Sequence, residues 1–276
     1  MKHWALFSVL FMWSVASWAS GGNETQGARS MALGGATVTH TDVWATTNNP
    51  GALGLLNQYA FAIGYENRFF LPEAGLKSLA VAMPLGQATV GLVGHSYGYA
   101  GYADNRIGLS YARKLSDYVS LGAQLNYVQA RIGDVYGSRS TLVAEIGLLV
   151  MPTDKIRIGA HLYNPTRSRL ADFDDERIPT SLRLGGQYFF SEIVNLSIEL
   201  DKDTDLPLNI KSGIEYRPAE PIFLRIGFAT AQSNFAFGVG YAWKALKADV
   251  GASWNQNLGY SSALSVQYAF GKRSKK

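Results

Sequence analysis

"YVSLGAQLNYVQ", residues 118–129, alternates without interruption. Val119, Leu121, Ala123, Leu125 and Tyr127 fall on one face of an extended chain, with Ser120, Gly122, Gln124 and Asn126 on the other. Successive side chains of a strand point to opposite faces, so this pattern specifies a β-strand between two different environments. It recurs in "LSIELD" (196–201), "FLRIGF" (223–228) and "NFAFGVGYAW" (234–243). Extended along the chain, the alternation predicts fourteen strands, at 58–66, 76–84, 87–96, 104–113, 118–130, 139–151, 155–163, 179–190, 193–201, 208–217, 221–230, 233–243, 245–254 and 260–270. Their lengths cluster near the roughly ten residues that a tilted strand needs to cross a bilayer.

The connections alternate as well. "PLGQ", "RKLSD", "SEI", "RPAEP" and "WKA" follow even-numbered strands, and "NRFFLPEAG", "SYGYAGYAD", "RIGDVYGS", "NPTRSRLADFDDERIP" and "DKDTDLP" follow odd-numbered ones. Short turns on one rim and longer loops on the other are the pattern of outer-membrane barrels, with the short turns periplasmic. An even strand number brings both ends of the barrel to that rim. A soluble sandwich also alternates, but fourteen such strands exceed its usual two sheets. The expected fold is all-β: a transmembrane antiparallel β-barrel of fourteen strands with a small N-terminal hatch or plug segment, since only a closed sheet satisfies every backbone group in lipid.

Composition agrees. Glycine accounts for 29 of 276 residues, aromatics for 12% and charged residues for 17%, against about 25% charged in a typical soluble domain. No cysteine is present, so neither disulfides nor thiolate metal sites contribute. The net charge of +4 is scattered apart from the terminal "KRSKK", which argues against a nucleic-acid partner. At the N-terminus, Lys2, the apolar run "WALFSVLFMWSVASWA" and the small-x-small site Ser17-Trp18-Ala19 read as a secretory signal peptide. The expected organisation is a signal peptide (1–20), a hatch or plug (21–57), the barrel (58–270) and a basic periplasmic tail (271–276).

If the apolar face meets lipid, the opposite face lines the lumen. It carries Glu145, Arg157, His161, Arg183, Glu199, Lys211, Glu215, Arg225 and Asp249. Mixed signs brace one another, whereas single-sign rings select ions; an internal salt-bridge network is expected ahead of a selective path. Gly108, Gly122, Gly147, Gly159, Gly185, Gly213, Gly227, Gly238 and Gly251 share that face and leave room for another occupant. The segment before the first strand, "GARSMALGGATVTHTDVWATTNNPGALG" (27–54), is the candidate. It lacks strand alternation, could form one or two short helices, and includes Gly34 and Gly35. Asn48-Asn49-Pro50-Gly51 is expected to be the turn that hands the chain to the wall.

"GARSMALGGATVTHTDVWATTNNPGAL" resembles the N-terminal hatch of the fatty-acid transporter (FadL) superfamily, in which a Gly-Gly-Ala run leads to an Asn-Pro-Ala/Gly turn before a fourteen-stranded barrel. "LYNPTRSRLADFDDERIPTSLRLGGQYFF" and "IKSGIEYRPAEPIFLRIGF" are similar to later strands of the PorV/PorQ group, outer-membrane proteins associated with type IX secretion in Bacteroidetes. The closing "ALSVQYAF", with Tyr268 and Phe270, resembles the insertion signal read by the barrel assembly machinery, although "GKRSKK" follows it.

The resemblance implies a non-enzymatic accessory or scaffold that binds secretion-system or envelope proteins; the alternative is a FadL-like channel for hydrophobic or small compounds. A polar longest loop and a charged lumen face depart from a fatty-acid conduit. Outer-membrane lipid is the expected surrounding, a hydrophobic ligand a further candidate partner, and no cofactor is expected. Lateral exit would need strand irregularities, for which "GHS" at Gly94 and "LGG" at Leu184 are candidates. Catalysis has little support: His95 and Ser96 are adjacent and point to opposite faces, and His40 and His161 lie elsewhere. The histidines show no metal-ligand spacing, and "RLADFDDER" reads as a solvated loop. Tyr118, Tyr163, Tyr188, Phe190, Tyr216, Trp243, Trp254 and Tyr260 are expected to form interfacial girdles.

Overall fold

In the computed structural model, which describes residues 25–71, 73, 75–99, 101–133, 137–170, 177–231 and 234–271, the chain forms one closed barrel. The signal peptide expected at 1–20, the first residues of the hatch segment and the tail beyond residue 271 lie outside the described residues, as does the middle of the loop "RLADFDDER". The strands are β1 (Tyr59–Asn67), β2 (Gly75–Leu85), β3 (Ala88–Tyr99), β4 (Tyr102–Lys114), β5 (Val119–Ile132), β6 (Ser138–Thr153), β7 (Ile156–Tyr163), β8 (Ser181–Phe189), β9 (Val194–Asp203), β10 (Asn209–Ala219), β11 (Ile222–Ala229), β12 (Asn234–Trp243), β13 (Leu246–Asn255) and β14 (Gly259–Phe270). The largest boundary difference from the sequence reading is three residues, where β3 runs to Tyr99 instead of residue 96.

Each strand pairs antiparallel with its neighbours, and β14 closes on β1 with Tyr59 opposite Phe270. Tyr268 and Phe270 stand on the outside of this seam, with Phe270 stacked on Tyr59 at 5.7 Å and Tyr268 tilted against Phe61 at the same distance. Burial is inverted relative to a water-soluble protein. On β12, Phe235, Phe237 and Val239 are 52%, 54% and 52% exposed, while Ala236 between them is buried. An apolar belt of this extent facing outward is what a barrel in lipid requires. No helix among the described residues is long and apolar enough to cross a membrane.

Three expectations need correction. Tyr163 is not part of a girdle: it is fully buried, because β7 directs Arg157, Gly159, His161 and Tyr163 inward, and its hydroxyl accepts a hydrogen bond from Arg106 at 3.0 Å. Gly94 and Leu184 mark no bulges, since the register through both is continuous on either side. The register shifts fall instead between Val150 and Thr153 and between Tyr216 and Ala219. Pro152 and Pro218 occupy these gaps, where the lack of an N–H to donate to the ladder is tolerated. Finally, Asn48–Gly51 does not lead directly to the wall. Asn48 ends a helix, and Asn49 caps a 3₁₀ helix, Pro50–Leu55, by accepting from the Gly51 N–H at 3.0 Å. Proline at the first helical position and asparagine before it favour starting a helix here.

Candidate functional site

Residues 25–57, referred to below as the hatch, lie inside the barrel. They comprise α1 (Ala28–Ala32), α2 (Ala45–Asn48) and the 3₁₀ helix. Such short helices have little stability of their own, and the wall supplies what the segment lacks. Glycines face one another in cross-strand pairs: Gly122 with Gly147, Gly159 with Gly185, Gly213 with Gly227, and Gly238 with Gly251. The hatch backbone seats on these pairs. Pro50 and Gly51 lie over the first pair, Val38 over the second, Leu33 and Gly34 over the third, and Ala28 and Ala32 over the fourth. A Cβ at any of these eight wall positions would overlap its neighbours. Gly108, the remaining one of the nine glycines named from the sequence, packs instead against Gln124, Asn126 and Val93 of the wall itself. Gly34 and Gly35 adopt φ of 64° and 81°, the left-handed conformation that turns the chain out of α1 against β11.

The opposite side of the hatch is apolar. Val43, Trp44 and Leu53 pack with Ala60, Ala62, Ala80, Ala82 and Ala112 of β1, β2 and β4. The Trp44 ring approaches Gly64 so closely that a Cβ there would lie 3.0 Å from it.

The lumen charges expected from the sequence gather into two groups. In the first, toward the long-loop rim, the Asn126 amide donates to Glu145 at 2.7 Å and Arg183 donates to His161 Nδ1 at 2.8 Å. His161 therefore carries its proton on Nε2 and donates it to Glu145 at 2.8 Å. Arg183 also reaches the carbonyl of Asn48 in the hatch. Glu199 lies 3.8 Å from Arg183 and 3.5 Å from Lys211, and Lys211 bonds to Asp201 at 2.6 Å. The free oxygen of Glu199 accepts from the backbone N–H groups of Thr37 and Val38 at 2.8 and 2.9 Å, clasping the hatch.

The second group lies toward the short-turn rim. Arg225 pairs with Glu215 at 2.6 Å and with Asp249 at 2.8 Å, and Arg29 of α1 bridges Glu215 at 2.9 Å and Asp42 at 2.7 Å. Arg157 donates to Thr41 at 3.3 Å and lies over the Phe189 ring. His40 is buried here; burial and then the nearby Arg29 guanidinium hold its imidazole far below the usual range, at about 3. Burial alone would raise the Asp42 carboxyl, but Arg29 and His40 outweigh it and keep it below the usual carboxylate range. Breaking one partner out of such buried networks costs about 3–5 kcal/mol, because the remaining charge is stranded.

The hatch motif residues Asn48, Asn49 and Pro50 tie the hatch to itself and to the wall. Asn48 Oδ1 accepts from Gln26 N at 3.0 Å, and the Asn49 amide donates to the carbonyls of Val38 at 2.6 Å and Leu148 at 3.1 Å. Sequence reasoning overlooked Arg29 and Asp42, although two charges in a glycine- and alanine-rich segment were a usable signal. Arg106, Gln124 and Asn126 were readable as polar-face residues of their strands.

At the long-loop rim a cavity of about 340 Å³ lies above the hatch. Thr25, Met31, Gly34 and Gly35 contribute from the hatch, and Glu66, Arg68, Phe69, Asp201, Asn209, Lys211, Asn234 and Ser253 stand among its walls. No group of three or more His, Cys, Asp or Glu residues among the described residues is placed to hold a metal ion.

No protein-family model matches the sequence, and no curated protein matches it. Solved structures do share the fold. The Ralstonia pickettii toluene transporter TbuX aligns at 15% identity with a TM-score of 0.72, covering 90% of this chain and 99% of that one. The Pseudomonas putida toluene transporter TodX aligns at 15% identity with a TM-score of 0.68, covering 92% and 99%. A Pseudomonas aeruginosa FadL homologue aligns at 15% identity with a TM-score of 0.62, covering 91% and 98%. At this identity the likeness establishes the fold alone, the closed barrel that these structures share.

Proposed function

We propose that this chain is a hatch-gated conduit for small compounds across the bacterial outer membrane. The observation that carries this reading is the stacking of a rim cavity directly on a hatch that fills the lumen, so that a solute entering from the long-loop side meets the hatch as its floor. The fold shared with transport channels supports the conduit over the accessory role that the PorV/PorQ resemblance suggests. In this reading the chain is exported by its signal peptide, inserted by the barrel assembly machinery through the Tyr268–Phe270 end, and embedded in outer-membrane lipid with its short-turn rim in the periplasm. Glu145, Arg157, His161, Arg183, Glu199, Lys211, Glu215, Arg225 and Asp249 hold the hatch and brace the wall, and no catalytic step is involved.

One observation favours the accessory reading. The two buried ion networks fix the hatch on both sides of the glycine pairs, which suits a permanently closed scaffold. Solute flux into proteoliposomes separates the two. A conduit admits small solutes at rates that rise when the hatch is loosened. Absence of flux from both intact and hatch-deleted protein, together with stoichiometric recovery of an envelope protein on the intact barrel, would establish the scaffold instead.

A further inference from the structure

We infer that the rim cavity is a binding site for a small, uncharged, polyhydroxylated solute, and that this is the class of cargo the conduit takes. The inference rests on the conduit reading for its transport half and on the cavity alone for its binding half.

The cavity walls carry charge in self-cancelling pairs. Arg68 bonds to Glu66 at 2.8 Å on one side, and Lys211 bonds to Asp201 at 2.6 Å on another. Between them stand the amides and hydroxyls of Asn209, Asn234, Ser253, Asn255 and Ser261. Asn234 Oδ1 is buried without a hydrogen-bond partner among the described residues. Phe69 is the one aromatic side chain in the lining.

This chemistry discriminates among solutes. A hydrocarbon would displace water from two ion pairs and several amides and return no hydrogen bonds, which is costly. A solute with net charge finds no compensating excess of the opposite sign, because each wall charge is already neutralised by its partner. Hydroxyl groups donate and accept at once, so they match a lining of mixed donors and acceptors. The volume, about 340 Å³, is at the small end of the range for ligand pockets, about 300–1,000 Å³. The cavity thus departs from the hydrocarbon cargo named for the toluene transporters that share the fold.

The test is equilibrium dialysis of the detergent-solubilised full chain against radiolabelled glucose, with gluconate as the charged analogue and toluene as the apolar one. A double variant, Asn234→Leu with Ser253→Leu, removes two polar side chains from the middle of the lining and leaves the residues of both ion pairs unchanged. Heat-modifiable migration on gels verifies that the variant barrel is folded. The expected results are saturable glucose binding, gluconate binding at least tenfold weaker, no displacement of glucose by toluene, and at least a tenfold loss of glucose binding in the double variant. Toluene binding in place of glucose, gluconate binding equal to glucose, glucose binding that survives the double variant, or no binding of any probe would each overturn the inference. Flux into proteoliposomes is read separately. Glucose binding without flux keeps the site and removes the conduit reading, whereas flux without glucose binding removes the site and keeps the conduit.

Discussion

The lumen has two kinds of wall, and the hatch meets them differently. Along β1, β2 and β4 the contact is made by side chains: Val43, Trp44 and Leu53 lie against a field of alanines. From β5 round to β13 it is made by backbone, with four glycine pairs admitting the hatch main chain and buried ion pairs fastening it. Apolar contact is non-directional and scales with area, about 1.5–3 kcal/mol for each large side chain fully buried. Backbone seating on glycine tolerates no added atom, and hydrogen bonds to Glu199 work only at one position. The alanine wall therefore supplies adhesion, and the glycine wall supplies register. If the hatch moves to admit a solute, the glycine wall is where release must be triggered.

The sharpest way to break this contrast is to add a side chain at the glycine wall. Gly147→Val or Gly227→Val would drive a methyl group into hatch backbone, at a cost of about 3 kcal/mol or more because neither side can yield. Both variants are expected to expel the hatch, giving persistent channel openings and making residues 25–56 cleavable by added protease. A fully protected hatch in these variants would mean that the seating is not tight.

Glu199→Gln should have the next largest effect. It removes the carboxylate that faces Arg183 and Lys211 and that accepts from Thr37 and Val38, weakening hatch docking by about 2 kcal/mol. Protease cleavage of the hatch is expected to accelerate by more than tenfold.

A pH effect should be smaller. Docked His40 titrates at about 3 and an undocked imidazole near 6.5, so between these values the undocked hatch binds a proton that the docked one does not. Docking therefore weakens as pH falls below 6.5, by about 1.4 kcal/mol at pH 5.5. Asp42, held low when docked, adds to the loss in the same direction once pH falls into the carboxylate range. Hatch cleavage measured from pH 7.5 to 5 should rise in the wild type, and His40→Gln should flatten that rise.

The alanine wall should be the most forgiving. Trp44 is buried, but its indole N–H has no hydrogen-bond partner among the described residues. Trp44→Phe keeps an aromatic ring and removes the unsatisfied donor, so docking should change by under about 1 kcal/mol. A cleavage rate above tenfold in this variant would place register on the alanine side as well.

What the sequence disclosed follows the same division. Strict alternation in segments such as 118–129 made the strands readable, because a lipid-facing wall must alternate and a one-residue slip would reverse every side chain. The inward charges were readable for the same reason: Glu145, Arg183, Glu199 and Asp249 sit at fixed parity within their strands. Glycine excess on that face announced an occupant, but not its position, since cross-strand register joins residues such as Gly213 and Gly227 only through the turn between them. Tyr163 was misplaced because position near a strand end was weighed above parity. The rim cavity was not visible at all, because its lining comes from β1, β9–β14 and the hatch, and no local pattern links them.

The central claim is that the hatch closes the lumen. Single-channel conductance in planar bilayers tests it most directly, comparing the intact protein with a version lacking residues 21–50. The account predicts an intact protein that is silent apart from brief openings and a deletion variant that conducts steadily. Steady conductance from the intact protein, unchanged by the deletion, would contradict it.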